Sequence, residues 1–495
     1  MTTHHRANAV AADEATALSI HGGAARRDTG RTGSEIVRAV RILLVIATMF
    51  FITFGYLLLN LRYFSRNLGY DEVYYAAWVD LWEDLPVYYP HHILLSPTSA
   101  WFQEHFTQAT GITNTMFVQK LKNTLVVSAG LGLFFLLFYA RSKRYWLSLT
   151  VVLLIAFSGS LWHDATAHES AAIPGIVINL TVLLLLFYRR FPFPLPFIAL
   201  IAALQSFAIL LHQAYFLSVP AFFAIFLLTV HRRDRSFLLV RNLVRSGVYA
   251  LLVLLMAGGV YYYIGFVRLG LRLEDNPDGA QHVPFFASIP IEGNFIRFFY
   301  LIRAREVWGG VDEDTGRQAV FGYGSSFVTA FHPDRIEGEA LIPGDPPVSN
   351  IVVVVLGSVL ASFFVFMVPV VRRYGPLLPA LLFWMALGSM FVSWWEPWYI
   401  EHWLYITVLT WVLLFIVADT VIDRVPYRIP RAAGYAAFCF VMLSFTGLMY
   451  RQNMETTILP NTVPNVPAAV SPTVWNDAYL MEELYREDWS WEKLR

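Results

Sequence analysis

The chain has 495 residues, of which 57% are hydrophobic and only 15% charged, and its mean hydropathy is positive, which excludes an ordinary soluble protein. Its 36 basic and 36 acidic residues cancel, so overall charge gives no argument for nucleic-acid binding. The single cysteine, Cys439, lies in an apolar segment and leaves neither a disulfide framework nor a cysteine-based metal site.

Residues 1–37 are small and polar and contain no apolar core of a signal peptide. They are expected to form a disordered cytoplasmic tail. From 38 to 450 the chain reads as an all-α polytopic membrane domain. A helix needs about 20 apolar residues to cross a hydrocarbon core about 30 Å thick, and about eleven such windows follow. They centre on 42–62, 121–140, 145–161, 171–188, 194–211, 214–230, 244–264, 350–370, 376–393, 402–419 and 432–450.

Basic residues then fix a topology. Arg38 and Arg41 precede the first span, and Arg141, Lys143 and Arg144 join the second to the third. Arg189 and Arg190 follow the fourth, and His231 to Arg235, with Arg241 and Arg245, join the sixth to the seventh. Arg372 and Arg373 join the eighth to the ninth, and Asp423 to Arg431 the tenth to the eleventh. All six junctions fall on one side when the N-terminus is cytoplasmic. This predicts an integral protein of the plasma (inner) membrane. The extracytoplasmic face then receives the long loops 63–120 and 265–349, the turns 158–170, 212–213 and 394–401, and a tail over 451–495. Amphipathic pieces of the first loop, such as Ser99 to Phe106, are expected to lie as helices in the interface. No internal repeat and no inverted pair of broken helices points to a secondary transporter.

The chemistry-bearing residues gather in those outer loops. Asp71 and Glu72 sit among Tyr70, Tyr74 and Tyr75, where partial desolvation suits a carboxylate to general-base work. The same pair reads equally as a solvated helix start. His91 and His92 follow in Tyr88-Tyr89-Pro90-His91-His92. In the 158–170 turn, His163, Asp164, His168 and Glu169 form a polar cluster at the lip of two apolar helices. If helical, Asp164 and His168 share a face, and the histidines can ligate a metal or bind sugar hydroxyls or phosphate. His212-Gln213 is a weaker signal, consistent also with capping or packing. The tryptophans of 394–403 suit an interfacial belt, but Glu396, Glu401 and His402 are interleaved with them, as in a sugar site. Arg297, Arg303 and Arg305 put guanidinium groups suited to phosphate on the outer face, or pair with Glu306 or Asp312.

Taken in order, these segments resemble the polytopic lipid-linked-sugar glycosyltransferases of the GT-C fold, which include protein O-mannosyltransferases and aminoarabinose transferases. The residues that carry the resemblance are Tyr70-Asp71-Glu72-Val73-Tyr74-Tyr75-Ala76, the proline-rich Pro86 to His92, Leu161 to Glu169, and Trp395-Glu396-Pro397 with Glu401-His402-Trp403. The resemblance implies a polyprenyl-phosphate-linked sugar as donor and a hydroxyl acceptor on a lipid, protein or glycan of the cell envelope. It implies Asp71 as general base, Glu72 as an orienting group, inversion at the anomeric carbon, and arginine on the leaving phosphate. No metal or other cofactor is required by that scheme. The chain departs from the aminoarabinose transferases in carrying His91-His92 where they have a lysine at the proline motif.

Three other classes make distinct demands. A flippase or transporter of lipid-linked glycans calls for polar or charged groups at mid-span, and the spans are nearly free of them, with Gln205 a mild exception. A metal-dependent membrane hydrolase using His163, His168 and Glu169 calls for bound metal. A non-catalytic glycan-binding scaffold calls for Asp71→Asn to leave the cellular phenotype intact.

Overall fold

The computed structural model describes residues 37–61, 75, 76, 79, 92–167, 170–188, 193–228, 239–268, 323, 324, 326–328, 346–375, 377–395 and 403–458. Among these the architecture is all-helical. The helices are α1 (Val37–Leu61), α2 (Leu95–Thr110), α3 (Thr115–Ser142), α4 (Tyr145–Ala156), α5 (Gly159–Thr166), α6 (Ala172–Phe187) and α7 (Leu195–Leu211). A 3₁₀ segment, Gln213–Ser218, leads into α8 (Val219–Leu227). Then come α9 (Leu239–Val253, widening into π-helical turns from Leu254), α10 (Pro346–Val365), α11 (Met367–Tyr374), α12 (Leu377–Trp395), α13 (Leu404–Ile422) and α14 (Arg428–Ile458).

Local chemistry sets several boundaries. Asn114 caps α3 by accepting a hydrogen bond from the Phe117 amide at 2.8 Å. Gly111 ends α2 in the left-handed region at φ +75°, where its amide reaches Thr107 O at 2.8 Å. Proline in the first turns of α7 and α8 costs nothing there, because those amides have no helical partner.

Five helices are long and apolar enough to cross a membrane, at Val37–Leu61, Thr115–Ser142, Leu239–Tyr262, Leu404–Ile422 and Arg428–Asn453. The number rises to seven if each bent pair counts as one span, α4 with α5 at 63° and α10 with α11 at 74°. The expected windows all coincide with an apolar helix, but four of those helices are shorter; α7, at 17 residues, is only about 25 Å long. A count of eleven full spans is therefore more than length and composition give. The expected 158–170 turn is also different in kind: it contains α5. The expected first-loop helix is present as α2, and it packs on α3.

Helix α13 is buried along nearly its whole length and packs against α4, α6 and α10. Helix α3 packs on α6, α6 on α7, and α9 on both α7 and α8. By contrast α1 exposes Leu43, Phe50, Phe51, Phe54 and Leu58, an apolar face suited to lipid.

Three of the six basic junctions meet at one end of this bundle. Arg144 and Arg373 both pair with Asp423. Arg373 also donates to the fully buried Asp419 at 2.5 Å, and the Tyr374 hydroxyl donates to the same carboxylate at 2.8 Å. The Arg141 guanidinium lies 4.5 Å over the Tyr374 ring. Junctions 141–144, 372–373 and 423–431 thus share an end, held by charges that answer one another.

A short piece of the long loop returns to the bundle near the other end. Ser326, Phe327 and Val328 are buried. The first amides of α5, Gly159 and Ser160, donate to Phe327 O and Ser326 O, each at 2.9 Å. These carbonyls take the place of a capping side chain, which α5 lacks. Ser326 also meets Thr407 at 2.5 Å, and Tyr323 meets Thr410 at 2.6 Å, both on α13.

Candidate functional site

Helix α13 measures the distance between the two ends. Asp419 marks the arginine end, and Tyr405, fourteen residues earlier, lies about 21 Å away along the axis. Around Tyr405 a chain of rings leads out to the first loop. Tyr405 stacks on Trp384 at 5.4 Å and 9°, and it meets Tyr215 at 5.5 Å. Tyr215 meets His212 at 5.7 Å, His212 meets His92 at 4.6 Å, and His92 meets Tyr75 at 5.8 Å.

Helix ends explain why the histidines are there. The last carbonyls of α7 have no helical donor. Leu94 N–H donates to Leu210 O at 2.9 Å, and His92 Nδ1 reaches Leu211 O at 3.1 Å. A carbonyl only accepts, so His92 carries a proton on Nδ1. His212 does the opposite. Its Nδ1 accepts from the Ala214 amide at 3.3 Å and caps the 3₁₀ turn, so in the neutral ring the proton sits on Nε2. The capping role open to His212 from sequence is thus realised, and the two rings are held in opposite tautomers.

Glycines let the rings close up. A Cβ on Gly388 would lie 2.4 Å from the Tyr405 hydroxyl, and one on Gly175 would lie 2.6 Å from Leu404 and 3.1 Å from the Tyr215 hydroxyl. A small cavity remains between Ala171, His212, Tyr215, Phe391 and Tyr405. The centre of a water has about 10 Å³ there, the room of one molecule. The Tyr405 hydroxyl and Trp384 Nε1 are buried without a hydrogen-bond partner among the described residues.

Helix α5 holds the second constellation. Asp164 is fully buried, and its carboxylate lies 3.4 Å from His163 Nδ1. Helix α3 grips the end of α5: Thr124 donates to Ala165 O at 2.5 Å and Asn123 to Ala167 O at 3.0 Å. The helix stops at Thr166, and Ala167 is extended at φ −109°, ψ 165°. The helical register expected to put Asp164 and His168 on one face therefore does not run that far. Ala167 gives up its place in the helix, and its carbonyl is taken by Asn123.

The structure brings together Tyr75, His92 and His212, and it pairs His163 with Asp164. Asp71, Glu72, Tyr74, His91, His168, Glu169, Glu396, Glu401, His402, Arg297, Arg303 and Arg305 lie outside the described residues. Among the described residues no group of three His, Cys, Asp or Glu side chains is placed to hold a metal ion.

Sequence reasoning missed Lys120 and Lys122. Both are buried, at 0% and 5% exposure, near the start of α3. The apolar window opened at 121 and left Lys120 to the loop. The spans are accordingly less free of charge than expected, since Lys120, Lys122, Asp164 and Asp419 all lie inside the bundle. The available signal was the run Gln119-Lys120-Leu121-Lys122-Asn123 at the head of a 28-residue helix.

No protein-family model matches the sequence, and no curated protein does. The fold is similar to that of the Archaeoglobus fulgidus oligosaccharyltransferase in its apo form, with a TM-score of 0.44 and 16% identity over 90% of this chain and 59% of that one. It is similar also to the same enzyme tethered to an acceptor peptide containing the NVT sequon, with a TM-score of 0.42 and 14% identity over 85% of this chain and 56% of that one. The chain thus spans less than two thirds of the length of the protein it matches.

Proposed function

We propose that this chain is a GT-C-type membrane glycosyltransferase. It moves a sugar from a polyprenyl-phosphate donor to a hydroxyl of a lipid, protein or glycan acceptor on the extracytoplasmic face. One observation carries the reading. The first loop, which carries the acidic pair, packs back on the bundle at His92, whose Nδ1 reaches Leu211 O, and Tyr75 is buried against the His92 ring. The His92 ring in turn meets His212, at the end away from the arginine clamp. Asp71 lies four residues before Tyr75 in the chain.

In this reading Asp71 takes the proton of the acceptor hydroxyl, and that oxygen attacks the anomeric carbon. The bond from that carbon to the phosphate oxygen breaks, the lipid phosphate leaves with the electron pair, and the configuration inverts. Glu72 orients a substrate. Tyr74, Tyr75, His91, His92, His163, Asp164, His168, Glu169, His212, Glu396, Glu401 and His402 supply rings and polar groups for sugar and acceptor. Arg297, Arg303 and Arg305 receive the charge of the leaving phosphate. No step calls for a metal.

The flippase reading is less well supported by where the buried charges sit. Lys120 and Lys122 lie near the start of α3, Asp419 near the end of α13 and Asp164 on the short α5, none of them in the middle of a long helix. The mid-helix Gln205 is satisfied by Ser218 and Tyr249.

The test is sugar transfer by the purified protein from a polyprenyl-phosphate hexose. Asp71→Asn should lower turnover by about 10²–10⁴-fold, the usual worth of a general base, while the protein still folds. Unchanged turnover in that variant would sink the assignment.

A further inference from the structure

Helix α5 carries the His163–Asp164 pair, yet it does not hold its own place. With eight residues it is shorter than the roughly 12 at which an isolated helix becomes even marginal. It leaves α4 through a 63° bend, and no side chain caps it. Ser158 stands at the capping position with the extended backbone of a cap, at φ −66° and ψ 139°. Its hydroxyl is taken by other partners: it donates to Leu154 O and accepts from Trp411 Nε1 of α13, each at 2.8 Å. The amides of Gly159 and Ser160 go instead to Phe327 O and Ser326 O. The cap that a neighbour in the chain would supply therefore comes from the 265–349 loop.

That piece of the loop is fixed in turn by α13. Ser326 Oγ bonds to Thr407, the Tyr323 hydroxyl bonds to Thr410, and the Phe327 ring stands edge-on to Trp411 at 5.3 Å. Thr407, Thr410 and Trp411 have the spacing of one helix face. Two carbonyls at the bend are held by other helices. Tyr56 of α1 donates to Ala156 O at 2.9 Å, and Asn453 of α14 donates to Phe157 O at 2.6 Å. At the far end of α5, Thr124 and Asn123 of α3 hold Ala165 O and Ala167 O. Carbonyls at both ends of α5 are thus answered by helices, and its first amides by the loop.

We propose that segment 326–328 is a positioning element: it sets the direction of α5 and, through it, the place of the His163–Asp164 pair. Ser326 and Phe327 act through their backbone carbonyls, and Thr407 and Thr410 hold them in register. Because Trp411 keeps the Ser158 hydroxyl, α5 depends on the segment for its first amides. The long outer loop is thereby coupled to a polar pair that lies on a different element. The part this pair plays in sugar transfer rests on the transferase reading; the control of α5 does not.

The test uses the full chain in dodecyl maltoside and compares Thr407→Val with Thr407→Ser. Valine keeps the shape and removes the hydroxyl that holds Ser326; serine keeps the hydroxyl. Hydrogen exchange, read by mass spectrometry on peptides covering 158–167, reports on α5 directly. Thr407→Val should speed that exchange about tenfold or more and leave α6 and α14 as they were, and Thr407→Ser should stay within about threefold of the unmodified chain. If Thr407→Val does not fold, Thr410→Val, which cuts the Tyr323 tie, should give the same local effect. In sugar transfer, the valine variant should raise KM about tenfold with kcat within about threefold, and the serine variant should restore KM. Unchanged exchange over 158–167 overturns the proposal, as does a rise spread evenly over all helices, which would make the contact general packing. Faster α5 exchange in a protein that transfers no sugar keeps the positioning element and removes the transferase reading. Transfer that depends on Asp71, with KM unchanged in a valine variant whose α5 exchanges faster, keeps the transferase and overturns the positioning of the pair.

Discussion

At the arginine end of the bundle, Asp419 and Asp423 accept from Arg144, Arg373 and Tyr374, and each charge has an opposite neighbour. At the other end, Lys122 is buried against a hydroxyl, and the Tyr405 hydroxyl, Trp384 Nε1 and Gln119 Oε1 have no partner among the described residues. Both ends are built from helix termini, and both bury ionisable groups. The difference is ionic pairing: the arginine end pairs its charges, although Asp419 Oδ1 and Arg144 Nη1 are buried there without a hydrogen-bond partner among the described residues, whereas Lys122 has only a hydroxyl. The ionic network ties three junctions together. Polar groups left short of partners reduce stability.

That contrast breaks first at Asp419. Asp419→Ala leaves Arg373 and Tyr374 facing an empty position, and it should cost about 3–5 kcal/mol, as the loss of one partner of a buried pair does. The melting temperature of the solubilised protein reads this directly; a loss under about 1 kcal/mol would mean that the clamp does not organise the junctions. Next comes Gly388→Val at the ring end. The added carbons would meet the Tyr405 ring and hydroxyl, at 2.4–2.9 Å for the Cβ alone. Overpacking of this kind should cost about 1–3 kcal/mol. A neutral melting curve would show that the Trp384–Tyr405 stack shifts freely.

Smaller in stability is His92→Phe. It keeps a ring beside His212 but removes the donor to Leu211 O, which should cost about 1 kcal/mol. Sugar transfer should fall by much more than that stability loss accounts for. Equal, small losses in both would make His92 a helix cap and nothing else. The smallest effect is that of acid on the clamp. Burial raises the Asp423 pKa, but the Arg373 hydrogen bond and the charges of Arg144, Arg373 and Arg431 outweigh it and hold the group below its ordinary 3.8. A depressed carboxylate contributes its stability above the ordinary value and loses it as pH falls through the lower, folded one. Melting temperature should therefore hold from about pH 7 to about pH 5 and decline below about pH 4, with a shallower decline in Asp423→Asn. An identical acid limb in the variant would remove Asp423 from the clamp.

Among the described residues the apolar windows coincide with every helix long and apolar enough to span, because hydropathy responds to composition over about 20 residues. The bends between α4 and α5 and between α10 and α11 were not legible, since apolar residues continue through both. Lys122 was hidden by the same averaging: it stands beside an apolar run, and only the arrival of Ser99 from α2 shows it to be buried. His212 was visible as a weak dipeptide. Its ring partner His92 lies 120 positions earlier, and no local pattern joins them. The arginines of the junctions were read for sidedness alone, and their answering carboxylates, Asp419 and Asp423, became visible only when three helix ends met.

The most direct measurement is sugar transfer from a polyprenyl-phosphate hexose in proteoliposomes, with Asp71→Asn and Asp423→Asn compared side by side. The expected result is transfer lowered by about 10²–10⁴-fold with unchanged melting temperature in Asp71→Asn, and near-normal transfer per folded molecule in Asp423→Asn. Undiminished transfer in Asp71→Asn, or transfer lost only through the clamp, would contradict the assignment of chemistry to the histidine and tyrosine end.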